Sequence, residues 1–136
     1  MNAVFLDTSG LVGVVNNDDQ WHAQAEKVWS ELLDSSVGIV TTSLVLVELA
    51  DGLSRLSHRE MAIQTIEALR HWDQLTIVQS DFHLEAKAWQ LYCDRVDKEW
   101  GMTDCVSMTV MEQQEIQEVF TADKHFEQAS FHVLLK

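Results

Sequence analysis

Ala3-Val4-Phe5-Leu6-Asp7-Thr8-Ser9-Gly10 is the stretch on which the fold turns. Its apolar start is enough for a short buried strand, and the hydroxyls behind Asp7 suit the opening of a helix. Asp7 then falls at the C-terminal end of a strand, the lip where open α/β sheets take up ligands. The pattern returns at Glu118-Val119-Phe120-Thr121-Ala122-Asp123, where another apolar run ends near another acid.

Working outward, the first strand covers Ala3 to Leu6 and leads into a short helix ending at Val15, with Asn16-Asn17-Asp18-Asp19 as the break. Trp21, Ala25, Val28, Trp29 and Leu32 recur at helical spacing, which predicts an amphipathic helix from Gln20 to Leu33. Val37 to Thr41 reads as the second strand. Ser43 to Leu56 reads as a helix apolar on nearly every side, hence largely buried. A helix from His58 to Trp72 and a third strand from Leu75 to Val78 follow. Phe82, Ala86, Trp89, Cys93 and Val96 mark a long amphipathic helix, and Lys98 to Met102 a loop. Thr103 is expected to cap a helix reaching Gln113. Glu118 to Thr121 is the fourth strand, Lys124 to Gln128 a turn or two of helix, and His132 to Leu135 the last strand.

Strands alternating with helices specify an α/β fold. The expected architecture is a three-layer α/β/α sandwich around a central, mostly parallel five-stranded sheet, formed by one domain over residues 1–136. A chain of 136 residues buries roughly 68% of its unfolded surface. With 46% hydrophobic and 23% charged residues, the composition is that of a folded protein. No apolar run approaches the roughly 20 residues of a membrane helix. The N-terminus lacks a basic segment, and Asp7 interrupts its apolar stretch, so no signal peptide is read there. Cys93 and Cys105 fall in predicted helices and suggest reduced thiols, pointing to the cytoplasm.

Nine Lys and Arg face 22 Asp and Glu, a formal net charge of −13. Such a surface does not attract a polyanion. Clustered acids nevertheless vanish electrostatically once a divalent cation sits among them.

Four acids stand out. Glu48 lies inside Leu44-Val45-Leu46-Val47-Glu48-Leu49-Ala50, and burying it unpaired costs several kcal/mol. An ion pair with Arg55 or partial solvation would relieve it, and Gly52, one turn on, could leave room for a ligand or a close backbone. Asp104 follows Thr103 at a helix start, where an acid serves the helix dipole. Asp7 and Asp123 could each cap the helix behind its strand. Together they are harder to explain. Strands one and four can be neighbours on one lip, with Asp104 opening on it and Glu48 covering it. Two carboxylates about 4 Å apart repel by roughly 4 kcal/mol at an effective dielectric of about 20. Such a group needs protonation, cations or a metal, and hard oxygen ligands suit Mg²⁺ or Mn²⁺. Thr8, Ser9, Thr121 and Ser107 are candidate supporting hydroxyls, Ser107 more simply a polar helix position. The six histidines, His22, His58, His71, His83, His125 and His132, show no ligand spacing and read as surface or interface residues.

Asp7-Thr8-Ser9 ending a strand, Glu48 in the third helix, Thr103-Asp104-Cys105 opening a helix and Thr121-Ala122-Asp123-Lys124-His125-Phe126 near the end resemble a PIN domain. The chain is similar over nearly its full length to the VapC-like toxins of type II toxin–antitoxin pairs. The resemblance implies a Rossmann-like fold and a metal-dependent endoribonuclease. Asp7, Glu48, Asp104 and Asp123 then occupy the family's acidic quartet around Mg²⁺ (or Mn²⁺), and Thr8, Ser9 and Thr121 match its supporting hydroxyls. It implies hydrolysis of RNA phosphodiester bonds by metal-activated water. It also implies a small cognate antitoxin and a homodimer as partners, with no membrane. Arg95, Lys98 and Lys124 are candidates for guiding the RNA backbone.

Two rivals stand beside this reading. A catalytically silent PIN-like module would bind without cleaving, although all four acids are present. A Mg²⁺-dependent phosphoacceptor or phosphatase domain also places an acid after its first strand. Here no paired acids precede that strand, and Asp7-Thr8-Ser9 is not Asp-x-Asp. Labelling of Asp7 by beryllofluoride would favour this second rival.

Overall fold

Each short apolar run becomes a strand of one sheet in the computed structural model, which describes residues 3–136. In chain order the elements are β1 (Ala3–Leu6), α1 (Thr8–Val15), α2 (His22–Asp34), β2 (Gly38–Thr42), α3 (Ser43–Gly52) and α4 (Leu56–Arg70). There follow β3 (Leu75–Val78), α5 (Phe82–Asp94), α6 (Met102–Gln113), β4 (Glu118–Phe120), α7 (Lys124–Gln128) and β5 (His132–Val133). All paired strands are parallel, in the order β3-β2-β1-β4-β5. The result is the three-layer α/β/α sandwich, with Phe5, Leu6, Val119 and Phe120 fully buried at its centre.

This strand order positions the site. The chain moves outward from β1 through β2 to β3, then returns across the sheet to place β4 on the other side of β1. The direction of winding reverses between β1 and β4, and a crevice opens beyond their C-terminal ends. Leu6 pairs with Phe120, so Asp7 and Thr121 leave the sheet side by side. Thr41 ties the neighbouring strand in, its hydroxyl donating to the Leu6 carbonyl at 2.8 Å.

Several local expectations are corrected. The expected helix from Ser43 to Leu56 stops at Gly52, where Leu53 turns back to the Leu49 carbonyl and Arg55, extended at φ −60° and ψ 150°, starts a new helix. Nor is α3 buried on every side, since Val47 is 55% exposed. A Cβ on Gly52 would meet nothing within 4 Å, so no backbone approaches there. The cap of α6 is Gly101, not Thr103, and α5 ends at Asp94, leaving Val96 92% exposed.

Gly10 carries a real steric demand. A Cβ there would lie 2.3 Å from the Phe120 carbonyl oxygen and 2.6 Å from its Cδ2. That carbonyl accepts the Asp7 N–H at 3.2 Å, so it is not free to move. Gly10→Ala is therefore expected to cost about 2–3 kcal/mol through overpacking. Urea unfolding with a lowered midpoint and an unchanged slope would register it; an unshifted midpoint would refute it.

Candidate functional site

Asp7 stands at the N-cap position of α1 but makes no side-chain capping bond. Its carboxylate goes elsewhere. Oδ2 accepts the Thr121 hydroxyl at 2.7 Å, whereas Oδ1 is buried without a hydrogen-bond partner. The residue is only 3% exposed. Burial pushes its carboxyl up to about 7; the Thr121 bond and the nearby Thr8 backbone N–H oppose this, and the charges of Asp104 and Glu48 push it further.

Thr121 is the hub that holds Asp7. It donates its one proton to Asp7, so it must accept from Ser9, whose Oγ lies 2.6 Å away. It also accepts the Asp123 N–H at 3.0 Å, while Ser9 accepts the Ala122 N–H at 2.9 Å. The ends of β1 and β4 are thus joined by hydroxyls. On the opposite wall Thr8 donates to Glu48 Oε1 at 2.5 Å. Glu48 is therefore relieved by Thr8 rather than by Arg55.

Asp104, in the first turn of α6, accepts the Gly101 N–H at 3.1 Å through Oδ2. Burial raises its carboxyl above the ordinary range, and Asp123 adds repulsion, against the Gly101 and His125 bonds that lower it. Asp123 caps α7 by accepting the His125 N–H at 2.9 Å. The helix-end explanation thus holds in part for Asp104 and Asp123, and fails for Asp7.

His125 is the residue that sequence reasoning missed. Its Nδ1 lies 3.1 Å from Asp104 Oδ2 and 3.4 Å from Asp123 Oδ1. One ligand atom from each of Asp104, Asp123 and His125 falls within 4.8 Å of the others, a cluster that could hold a divalent metal. The only signal was its place two residues after Asp123. His22 is also not a plain surface residue: its Nδ1 meets the Gly13 carbonyl at 2.8 Å.

Asp7, Glu48, Asp104, Asp123 and His125 line one cleft of about 570 Å³, joined by Thr8, Ser9, Asp19 and Glu99. Among the described residues no Lys or Arg lines it. Arg95 instead grips Asp97 with two bonds of 3.0 and 3.1 Å and lies 4.8 Å over the Trp100 ring. That grip holds the Asp97 carboxyl below its usual range. Lys98 lies 3.9 Å from the same Asp97, and Lys124 is exposed beside Asp123. Ser107 is corrected from a polar helix position to a fully buried one, its Oγ without a partner. Cys93 and Cys105 are both free.

The donor chemistry fits a hard divalent cation. An orphaned buried carboxylate oxygen on Asp7 and converging donors on Asp104, Asp123 and His125 share a cleft with no internal cation.

The PIN domain family model matches residues 4–132. No curated protein matches the sequence. Among solved structures the chain is similar to Mycobacterium tuberculosis VapC20, a toxin that cleaves the sarcin–ricin loop. The TM-score is 0.86 at 25% identity, over 94% of this chain and 95% of that one. It is similar in fold to VapBC2 from Rickettsia felis, solved bound to a promoter DNA fragment (TM-score 0.69, 17% identity, 96% of each chain). FitAcB from Neisseria gonorrhoeae is similar in fold as well (TM-score 0.65, 18% identity, 96% of this chain and 95% of that one).

Proposed function

The chain belongs to the PIN domain family, and from that premise we propose that it is a metal-dependent endoribonuclease, the toxin of a toxin–antitoxin pair. The observation that carries the proposal is the unpartnered oxygen of Asp7, buried at the floor of an acid-lined cleft. Keeping such a group ionised is costly, and a bound cation offsets that cost. Asp7, Glu48, Asp104 and Asp123 would hold Mg²⁺ (or Mn²⁺), as the family resemblance implies. When bound, the ion lowers the pKa of water and neutralises charge on the phosphoryl oxygens.

The chain's own residues supply the positioning. Thr121 and Ser9 aim Asp7, Thr8 restrains Glu48, and the Gly101 N–H restrains Asp104. The cleft repels a phosphodiester until its charge is offset, so binding of RNA and of metal are coupled. Lys124, exposed next to the cleft-lining Asp123, and Lys98, next to the cleft-lining Glu99, are candidates to steer the backbone.

The partners proposed are an RNA substrate, a small cognate antitoxin and a second copy of the chain. An apolar groove of about 460 Å³ lined by Leu11, Val14, Trp29, Leu33, Leu69 and Trp72 supports a protein partner. So does the α5 face, where Phe82 is 89% exposed and Trp89 stacks on Tyr92 at 5.2 Å. A single PIN-like domain over 1–136 and a cytoplasmic location complete the proposal. No described helix is long and apolar enough to cross a membrane.

The test is RNA cleavage with Mg²⁺ or Mn²⁺, abolished by EDTA, restored by the ion and lost in Asp104→Asn. Equal cleavage in EDTA would exclude the metal mechanism. Growth arrest on expression, relieved by a short neighbouring reading frame, would support the toxin assignment. Metal binding without cleavage of any RNA would favour the silent binding module.

A further inference from the structure

We infer that His125 supplies an imidazole nitrogen to the metal centre, making it a mixed nitrogen–oxygen site that holds Mn²⁺ in preference to Mg²⁺. The inference rests on the metal-dependent reading above and names a ligand outside the acidic quartet.

The donor spacing would suit neighbouring ligands of one ion. Adjacent ligands about 2.1 Å from an octahedral ion are separated by roughly 3.0 Å. His125 Nδ1 stands 3.1 Å from Asp104 Oδ2 and 3.4 Å from Asp123 Oδ1, close to that separation on both sides. The two distances also suit a hydrogen bond, so the ring occupies a position that serves either state. As a ligand the ring would present the Nδ1 lone pair to the ion and carry its proton on Nε2.

The backbone that carries the ring is also held in place. Its backbone N–H is fixed on Asp123 Oδ1 at 2.9 Å, and the next residue, Phe126, is completely buried. The imidazole therefore needs little reorganisation to reach the ion. An independent sign of a ligand lies in the same cleft, where Asp7 Oδ1 is buried without a partner.

The nitrogen decides selectivity. Mg²⁺ demands hard oxygen donors and gives up its water reluctantly. Imidazole is a ligand of first-row transition metals rather than of Mg²⁺. Mn²⁺, although the weakest binder of that series and otherwise an oxygen-seeking ion, accepts it more readily than Mg²⁺ does. An all-carboxylate site would lack this bias.

The experiment uses the full-length protein loaded with Mn²⁺ alone, read by electron spin echo envelope modulation and by titration of Mn²⁺ and Mg²⁺. The expected result is ¹⁴N coupling in the wild type, absent in H125A and H125Q. H125A should weaken Mn²⁺ binding at least about tenfold and Mg²⁺ binding less than about threefold. H125Q keeps a polar side chain, and an unchanged unfolding midpoint in it rules out misfolding as the cause. Mn²⁺ bound without ¹⁴N coupling, yet lost in Asp104→Asn, overturns the His125 assignment and leaves the metal-dependent reading standing. Failure of Mn²⁺ to bind at all, or binding indifferent to Asp104→Asn, overturns both.

Discussion

Asp7→Asn is expected to abolish the proposed RNA cleavage and, in metal-free buffer at pH 8, to make the protein more stable. Both effects come from one carboxylate. In the folded chain burial raises its pKa from 3.8 to about 7. A carboxyl whose folded pKa is raised contributes nothing adverse below its unfolded value, where both states hold the proton. As pH rises past 3.8 the unfolded chain ionises first, and folded stability falls until the folded carboxyl has also ionised, above about 7. The full penalty is on the order of 4 kcal/mol. Asparagine removes it but buries an amide N–H where Oδ1 has no partner, a cost of about 1–3 kcal/mol. The net gain at pH 8 is therefore about 1–3 kcal/mol, and it disappears or reverses by about pH 4. Urea unfolding of both proteins from pH 4 to 8 checks this; parallel pH profiles would refute it. Adding Mg²⁺ should reverse the ranking, because only the wild type gains by binding it.

Thr121→Val is expected to cost about 3 kcal/mol and to lower cleavage about a hundredfold. The valine matches the shape of threonine but takes the Thr121 partner from three groups: Asp7 Oδ2, the Ser9 O–H proton and the Asp123 N–H. Loss of the donor that lowers the Asp7 pKa also carries it above about 7. In the proposed mechanism Asp7 would hold the ion as a carboxylate, so metal binding, and the rising limb of the pH–rate profile with it, is expected to move to higher pH. Thr121→Ser keeps the hydroxyl and should restore both activity and profile, losing only about 0.8 kcal/mol for its methyl. An unshifted profile in the valine variant would show that Thr121 does not set the state of Asp7.

Much of this architecture was legible beforehand. Short apolar runs identify strands because burial on both faces of a parallel sheet demands them. Val4-Phe5-Leu6 and Val119-Phe120 needed no distant information. The end of α3 was less visible, because Leu53 and Leu56 look alike in sequence yet are 2% and 92% exposed. Their difference depends on which neighbours pack against each. His125 was missed for a related reason. Its partner Asp104 lies 21 residues away on another helix, so no local spacing marks the pair. Ser107 likewise reads as polar until the packing of α6 closes around it.

What the sequence determined by itself was the order of elements and the acids at their ends. Those follow from periodicity and turn chemistry, which act over a few residues. Only the tertiary structure decided what each acid does there. It freed Asp7 from capping, gave Glu48 to Thr8 rather than Arg55, and brought His125 between Asp104 and Asp123. Desolvation and pairing depend on distances between segments that the chain order leaves open. The winding reversal between β1 and β4 is the feature that set those distances.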